Sequence, residues 1–130
     1  MFRELREIEK PFMTAEGIPD YTPAGVKAQK RKLDAFKKRL AAIDTSAWPI
    51  PHRTDYLLVR AEANGLEFDH QVLRPWSRDP GYYAVFGQFQ PVRYGTFKLP
   101  RLPIAPERVA EFRAGLQAVP KVLEQGRKNL

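Results

Sequence analysis

Cysteine is absent from the 130 residues of this chain. Disulfide bonds, thiolate zinc sites and cysteine nucleophiles are therefore excluded together. Histidine is scarce as well, and His52 and His70 are the only two. They do not have the four-residue spacing that places two imidazoles on one zinc ion. These shortages remove most thiol and metal chemistry from consideration.

Long apolar runs are absent too. No stretch approaches the roughly 18 residues of a membrane-spanning helix, and no signal-peptide core follows Met1. No membrane partner is therefore expected, and a cytoplasmic location is the default. The chain also has no glycine-rich phosphate loop and no serine in a nucleophile-elbow pattern. We expect no activity from this chain alone, and no catalytic residue, metal ligand or cofactor within it.

Positive charge is what the chain has in excess, with a net charge of +7. The excess is concentrated between Lys27 and Arg39, where seven basic residues are opposed only by Asp34. Such a helix could contact the phosphates of nucleic acid. No helix-turn-helix, zinc-finger or RNA-binding aromatic pattern accompanies it, so a solvated lysine-rich face is favoured over a nucleic-acid interface.

Apolar periodicity predicts an all-α fold, an antiparallel assembly of three to five helices. The predicted helices are 2–10, 22–43, 51–73, 80–86 and one from 106 to near the end of the chain. Pro120 should kink or divide the last helix, because it lacks the N–H that would bond the carbonyl of Leu116. The proline-rich residues 87–104 are expected to form a long irregular connection, with a weak hairpin at 92–99 as the alternative.

The predicted central helix, 51–73, is apolar on more than one face. Such a helix normally packs against several neighbours, more than the other helices of this chain provide. The apolar pattern of the last helix is also still running at Leu130. We therefore expect residues 1–130 to form a single helical domain or a fragment of a larger helical protein.

The most distinctive segment is the corner 72–83, which combines prolines, aromatic rings and charges. Arg74 and Arg78 flank Trp76 and could clamp a carboxylate, since guanidinium forks match that geometry. The alternative, which we favour, is that both arginines pair with nearby acids and hold the corner. Asp79 before Pro80 is expected to cap a short helix. The candidate binding residues are Arg74, Trp76, Arg78 and Tyr83.

Glu67 and His70 lie one turn apart, a spacing that carboxylate-bridged di-metal sites use. Such a site needs a second glutamate–histidine set, which His52 does not supply. His70 also follows the apolar register of Leu66 and Leu73. A partly buried histidine with satisfied hydrogen bonds is therefore favoured over a metal ligand.

Short strings spread in order along nearly the whole chain carry a resemblance. They are GIPDYT at 17–22, LAAID at 40–44, WPI at 48–50, DY at 55–56, VRAE at 59–62, NGL at 64–66, FDH at 68–70, RPWSRDPGYY at 74–83, LQAVP at 116–120, Leu123 and NL at 129–130. In this order and spacing the chain resembles the amino-terminal region of one branch of the bacterial domain-of-unknown-function 885 family.

Members of that family are several times longer, largely α-helical, and look like zinc-dependent peptidases with a HExxH helix in their later part. The resemblance implies that this chain is a non-catalytic amino-terminal segment whose partner is the remainder of the parent polypeptide. Any zinc would belong to that remainder, and no metal or catalytic residue carries over onto this chain. The alternatives are a small basic helical module that binds nucleic acid and a scaffold that binds another protein. Exposed apolar helix faces would also allow self-association.

Overall fold

Four α-helices dominate the part of the chain that the structure describes. The computed structural model describes residues 1–10, 12–13, 19–83 and 102–130. The helices are α1 (Phe2–Glu9), α2 (Pro23–Ala41), α3 (Ile50–Phe68) and α4 (Val109–Asn129). Two strands of two residues each, β1 (Phe12–Met13) and β2 (Pro19–Asp20), pair with one another. The fold is all-α, as the periodicity predicts.

Shorter helical turns complete the described elements. A turn of π-helix continues α3, and three 3₁₀ turns follow: Asp69–Leu73, then Pro75–Ser77, Pro80–Tyr83 and Pro106–Arg108. Pro23, Pro80 and Pro106 each begin a helical element, as predicted, because the ring presets a helical φ and the first turn does not need the missing N–H. The predicted hairpin at 92–99 and most of the predicted connection, 87–101, lie outside the described residues.

Pro120 lies inside α4, and the helix continues on both sides of it. Of the two outcomes predicted for this position, division of the helix does not occur. The proline removes only one hydrogen bond of the helix, whereas Val122 and Gly126 beyond it are buried. Tertiary packing of the last turns therefore keeps the helix continuous.

The chain forms two compact units. The first comprises Met1–Phe12 and Pro23–Arg74, and the second comprises Met13–Thr22 and Pro75–Leu130. Each unit has a buried cluster of its own. The single helical domain over residues 1–130 stays a prediction.

The first unit is built from α1, α2 and α3 around one apolar core. Its buried side chains come from all three helices: Leu5, Ile8, Leu33, Phe36, Leu40, Tyr56, Val59 and Ala63. On each helix these residues recur at intervals of three, four or seven, so they lie on one face. Ile43, Trp48 and Leu66 pack against the edge of this core.

Helix α2 runs antiparallel to both α1 and α3. Tyr56, near the beginning of α3, donates a hydrogen bond from its hydroxyl to the carbonyl of Leu40 near the end of α2. Glu67, near the end of α3, lies 4.0 Å from Lys30 in the first half of α2. Glu4 of α1 pairs with Arg39 near the end of α2 in the same way. The predicted antiparallel arrangement is therefore confirmed for these helices.

Gln29 closes the carboxyl end of α1. Its side-chain amide donates to the carbonyl oxygens of Ile8, Glu9 and Lys10 at 2.8, 3.1 and 3.2 Å. The last carbonyls of a helix have no partner within it, so a side chain from a neighbouring helix can satisfy them. One amide thus ties α1 to α2.

The second unit has a small core made mostly of tyrosine. Tyr21, Tyr82 and Tyr83 meet edge to face, with ring centroids 5.0 to 5.5 Å apart. Val122 completes the buried cluster and Trp76 packs against it. Edge-to-face contacts stabilise aromatic pairs beyond the burial of their area. This cluster joins segments that lie more than 30 residues apart in the sequence.

Two amide side chains of α4 form hydrogen bonds with backbone groups of Pro19 and Tyr21. Gln125 accepts the N–H of Tyr21 at 2.6 Å and donates to the carbonyl of Pro19 at 3.0 Å. Asn129 donates to the carbonyl of Tyr21 at 2.6 Å and to the hydroxyl of Tyr83 at 2.7 Å. Buried backbone groups need such partners. The last turns of α4 are therefore anchored by specific polar contacts.

Gly126 is predicted to be intolerant of a side chain. A Cβ at this position would lie 2.7 Å from Cγ of Tyr83, closer than real Cβ contacts. Because Tyr83 is held by two other tyrosine rings, the substitution Gly126→Ala should lower the free energy of unfolding by about 1–3 kcal/mol. Urea unfolding followed by circular dichroism measures this loss.

Gly65 provides the matched control on another helix. A Cβ there meets no atom within 4 Å. Gly65→Ala should therefore raise the free energy of unfolding by about 0.5–1 kcal/mol, since alanine favours helix. Equal effects of the two substitutions would show that the contact with Tyr83 does not limit position 126.

Tyr21 is predicted to make stability depend on alkaline pH. Burial, with a smaller contribution from Tyr83, raises the pKa of Tyr21 to about 12. The unfolded chain loses this phenolic proton near pH 10, whereas the folded chain keeps it until about pH 12. The stabilisation is therefore complete below pH 10 and is lost as the pH rises towards 12.

Unfolding measurements at pH 9 and pH 11 test this dependence. We expect the free energy of unfolding to fall by roughly 1 kcal/mol over this interval because of Tyr21 alone. The variant Tyr21→Phe should lose correspondingly less between the two pH values. An identical fall in the wild type and the variant would contradict the assignment to Tyr21.

Candidate functional site

Arg74, the first of the candidate binding residues, ends the helical run of the first unit. Its φ of 48° is left-handed, and its N–H donates to the carbonyl of Asp69 at 2.8 Å. The side chain turns back, so that Nε donates to the carbonyl of Gln71 at 3.1 Å. A left-handed residue with a basic side chain at a helix end satisfies terminal carbonyls. Arg74 therefore has a local structural role as a helix stop.

The other candidate residues lie in the second unit. Tyr83 is only 3% exposed, and its hydroxyl donates to the carbonyl of Trp76 at 2.6 Å. Trp76 is half-buried against the tyrosine cluster, whereas Arg78 is exposed. Tyr83 thus supports the corner from inside. A binding role for Arg74, Trp76, Arg78 and Tyr83 stays a prediction.

Asp79 caps the 3₁₀ turn after the corner. Its carboxylate accepts the N–H of Gly81 at 2.8 Å, and its backbone carbonyl accepts the N–H of Tyr82 at 3.0 Å. This is the capping role predicted from the Asp-Pro sequence. The cap places Tyr82 and Tyr83 directly after the turn, where both rings enter the core.

The basic helix α2 is partly neutralised by acids of its own unit. Lys30 pairs with Asp34, Lys37 pairs with Glu67, and Arg39 pairs with Glu4. Lysines held by carboxylates release fewer counterions on binding a polyanion. The observation weakens the nucleic-acid interpretation of residues 27–39.

Glu67 belongs to this polar network and does not have the surroundings of a metal ligand. Its two oxygens face Lys37 and Lys30, whose positive charges would oppose a bound cation. Burial, and next the charge of Lys30, lower the pKa of nearby His70, so its ring is neutral at pH 7. Within the described residues no three His, Asp or Glu side chains gather as metal donors. The pair Glu67 and His70 therefore does not fit a zinc site.

The outer face of α3 is the most unusual surface of the first unit. Its members are exposed, small or apolar, and spaced by three, four or seven residues: Ile50, Leu57, Ala61, Gly65 and Phe68 of α3, and Val72 of the π-helical turn that continues it. Ile50 is 78% exposed, Leu57 55% and Phe68 50%. The buried face of the same helix, at Val59 and Ala63, points the opposite way at 100° per residue. Among the described residues, α1 and α2 cover only the inner one of these two apolar faces.

Helix α4 also leaves apolar side chains at the surface. The predicted stripe of this helix includes Val109, Leu116 and Leu123, which are between 42% and 50% exposed. Its fully buried residues are instead Val122 and Gly126. Despite these apolar positions, every helix within the described ranges is too short or too polar to cross a membrane. The cytoplasmic location stays a prediction.

A small pocket opens between α2 and α3. Its volume is about 200 Å³, and seven side chains line it: Lys37, Leu40, Ala41, Tyr56, Arg60, Ala63 and Asn64. The floor is apolar, and two cationic side chains and an amide stand at its rim. This pocket could not be found from the sequence, because its residues come from two helices and nothing local shows that the two groups meet.

The described residues define an all-α protein in which the outer face of α3 is exposed. Comparison with models of known families, with curated proteins and with solved structures found no match. The resemblance to the domain-of-unknown-function 885 family therefore stays a prediction.

The half-buried pair Lys37–Glu67 is predicted to contribute more to stability than an exposed pair. Lys37 and Glu67 are 25% and 31% exposed, whereas Lys10 and Glu7 are about 65% exposed. A double-mutant cycle with Lys37→Met and Glu67→Gln should give a coupling energy of about 1 kcal/mol, because the pair is partly shielded from water.

The exposed pair serves as the control for this cycle. Lys10→Met with Glu7→Gln should give a coupling of at most ~0.5 kcal/mol. Raising the salt concentration should reduce the exposed coupling further than the half-buried one. Indistinguishable couplings for the two pairs would show that the network around Glu67 adds no stability.

Proposed function

We propose that this chain is a non-catalytic helical docking segment, the amino-terminal part of a larger protein that resembles zinc-dependent peptidases. The observation that carries the proposal is the outer face of α3, defined by Ile50, Leu57, Ala61, Gly65, Phe68 and Val72. Contiguous exposed apolar surface on a folded protein marks a site of interaction. The resemblance supplies the occupant: the remaining, catalytic part of the same polypeptide.

The shape of this face suits a packed helix. Leu57 and Phe68 are large and stand at either side of the small residues Ala61 and Gly65. Large residues around a small centre allow a second helix to approach closely, since ridges of side chains pack into the groove. About half of the surface of Leu57 and of Phe68 is already buried. Burying the other half in a docked complex would stabilise that complex by roughly 1 kcal/mol for each side chain.

Under this proposal the segment contributes surface and not chemistry. In the family that the chain resembles, the zinc-binding helix lies in a later part. Glu67 and His70 do not suit zinc, because Lys37 and Lys30 face the carboxylate of Glu67. The role proposed for residues 1–130 is therefore to cover and position a catalytic part that lies elsewhere.

The coding sequence beyond Leu130 tests the assignment to a peptidase-like parent. The proposal expects an in-frame continuation that encodes a HExxH motif. A continuation without this motif would overturn the peptidase assignment. A stop codon directly after Leu130 would overturn the proposal of a larger parent and favour a free-standing helical module.

The docking surface is tested on the chain itself. Because the outer face of α3 is uncovered, the isolated chain should self-associate and bind a hydrophobic dye. The double variant Leu57→Glu, Phe68→Glu should abolish self-association and lower dye fluorescence several-fold, since a carboxylate resists transfer out of water. Sedimentation equilibrium and dye fluorescence measure the two effects.

His52→Glu is the matched control, because His52 is exposed on α3 and lies away from the outer face. This variant should associate and bind dye as the wild type does, and circular dichroism should show unchanged helix content in all three proteins. A monomeric wild type without dye binding, or a double variant that behaves like the wild type, would exclude the outer face of α3 as a docking surface.

A further inference from the structure

The pocket between α2 and α3 combines an apolar floor with a cationic rim. Leu40 and Ala63 are buried members of its lining, and Lys37 of α2 and Arg60 of α3 bring two cationic side chains to it. Asn64 lies one turn after Arg60 on the same side of α3 and adds an amide. Apolar lining with a few polar groups that fix orientation is typical of small-ligand sites.

The charges around the pocket are not balanced. Three cationic side chains lie in this region: Lys30, Lys37 and Arg60. The acids paired with them are Asp34 and Glu67. Lys30 and Lys37 share those two carboxylates. Arg60 has no ion-pair partner among the residues that the structure describes. One further negative charge at the rim would neutralise the site.

The side chains at the rim favour a carboxylate among possible anions. The planar guanidinium of Arg60 presents paired N–H donors that match the two oxygens of a carboxylate. The ammonium group of Lys37 keeps donors beyond the one that reaches Glu67. Tyr56 lines the pocket, but its hydroxyl already donates to the carbonyl of Leu40, so its ring supplies an apolar wall.

The volume limits the size of the ligand. The volume of about 200 Å³ lies below the roughly 300–1,000 Å³ that is typical of small-molecule sites. The pocket is thus smaller than sites for drug-sized molecules and suits a short branched stem. From the lining, the charge and the volume together, we infer that this pocket binds a carboxylate carried on a short apolar stem, with Arg60 and Lys37 as the anion contacts.

Such a carboxylate has two sources in a protein: the end of a chain and an acidic side chain. N-acetyl-leucine presents the first, and butyrate presents the second. The neutral N-acetyl-leucinamide has the same stem as N-acetyl-leucine without the charge. Titration of the ¹⁵N-labelled full chain with each probe, followed by amide chemical shifts, measures binding and locates it.

The inference predicts saturable shifts around Lys37, Arg60 and Ala63 with N-acetyl-leucine, and at least fivefold weaker binding of the amide. Tighter binding of N-acetyl-leucine than of butyrate assigns the site to a terminal carboxylate, and the reverse order assigns it to an acidic side chain. Absence of saturable shifts with both acids, or equal binding of the acid and the amide, overturns the inference.

Substitution of Arg60 distinguishes binding at this pocket from binding to any exposed apolar surface. Arg60→Gln should weaken the binding of N-acetyl-leucine at least fivefold and leave that of the amide unchanged. Arg60→Lys, which keeps the charge but loses the fork, should fall between. Arg53→Gln, two turns earlier on α3, is the matched control and should bind as the wild type does. Unchanged affinity in Arg60→Gln overturns the assignment to Arg60.

This site is independent of the proposed docking function. Leu57 and Phe68 do not line the pocket. The variant Leu57→Gln, Phe68→Gln, which adds no charge beside Arg60, should therefore lose self-association and keep its affinity for N-acetyl-leucine. Self-association therefore tests the docking proposal, and the affinity for N-acetyl-leucine tests the pocket separately.

Discussion

Burial of one face of α3 against α1 and α2 is the interaction on which the first unit depends. Leu5, Leu33 and Val59 are the largest fully buried side chains, one from each of the three helices. Burying side chains of this kind contributes roughly 1.5–3 kcal/mol each. Two neighbours can cover only one side of a central helix. The outer face of α3 is exposed for this geometrical reason, and the proposed docking surface is a direct consequence of the packing.

The second unit is held by a different balance of forces. Its buried cluster is small and largely aromatic, and the amides of Gln125 and Asn129 satisfy backbone groups of Pro19 and Tyr21. A hydrogen bond of this kind contributes about 1 kcal/mol, but an unpaired buried group costs more. The last turns of α4 therefore depend on polar specificity as much as on apolar area, and the buried ring of Tyr83 is part of that support.

Charge in the first unit is organised around α2 and α3. The sequence suggests a uniformly basic helix, yet carboxylates of the same unit, of which Glu67 is the most buried, hold several of its cations in place. Arg60, on the neighbouring helix, stands at the rim of an apolar pocket. The same interhelical contacts thus reduce the attraction for a polyanion and create a local position for a single carboxylate. The proposed docking face and the pocket are lined by different residues of α3.

Local physical rules in the sequence predicted the elements but not their contacts. Prolines at 23, 80 and 106 begin helical turns, and Asp79 caps one of them, because these effects act within a few residues of the chain. The excess of apolar residues on the central helix was also evident. The continuity of α4 through Pro120 was not, because distant contacts outweigh the lost hydrogen bond.

For the candidate sites too, the sequence identified distinctive segments but not the contacts that their residues make. The corner 72–83 is distinctive in composition, but only the fold shows that the ring of Tyr83 is buried in the tyrosine cluster of the second unit. The rim of Lys37 and Arg60 could not be found in the sequence, since nothing local brings residues of two helices together. The sequence by itself determined an all-α chain with helices at defined places, because backbone propensity and periodicity are local. Tertiary structure decided which apolar face is buried and which charges are paired, because a repeating apolar pattern is the same whether it meets protein or water.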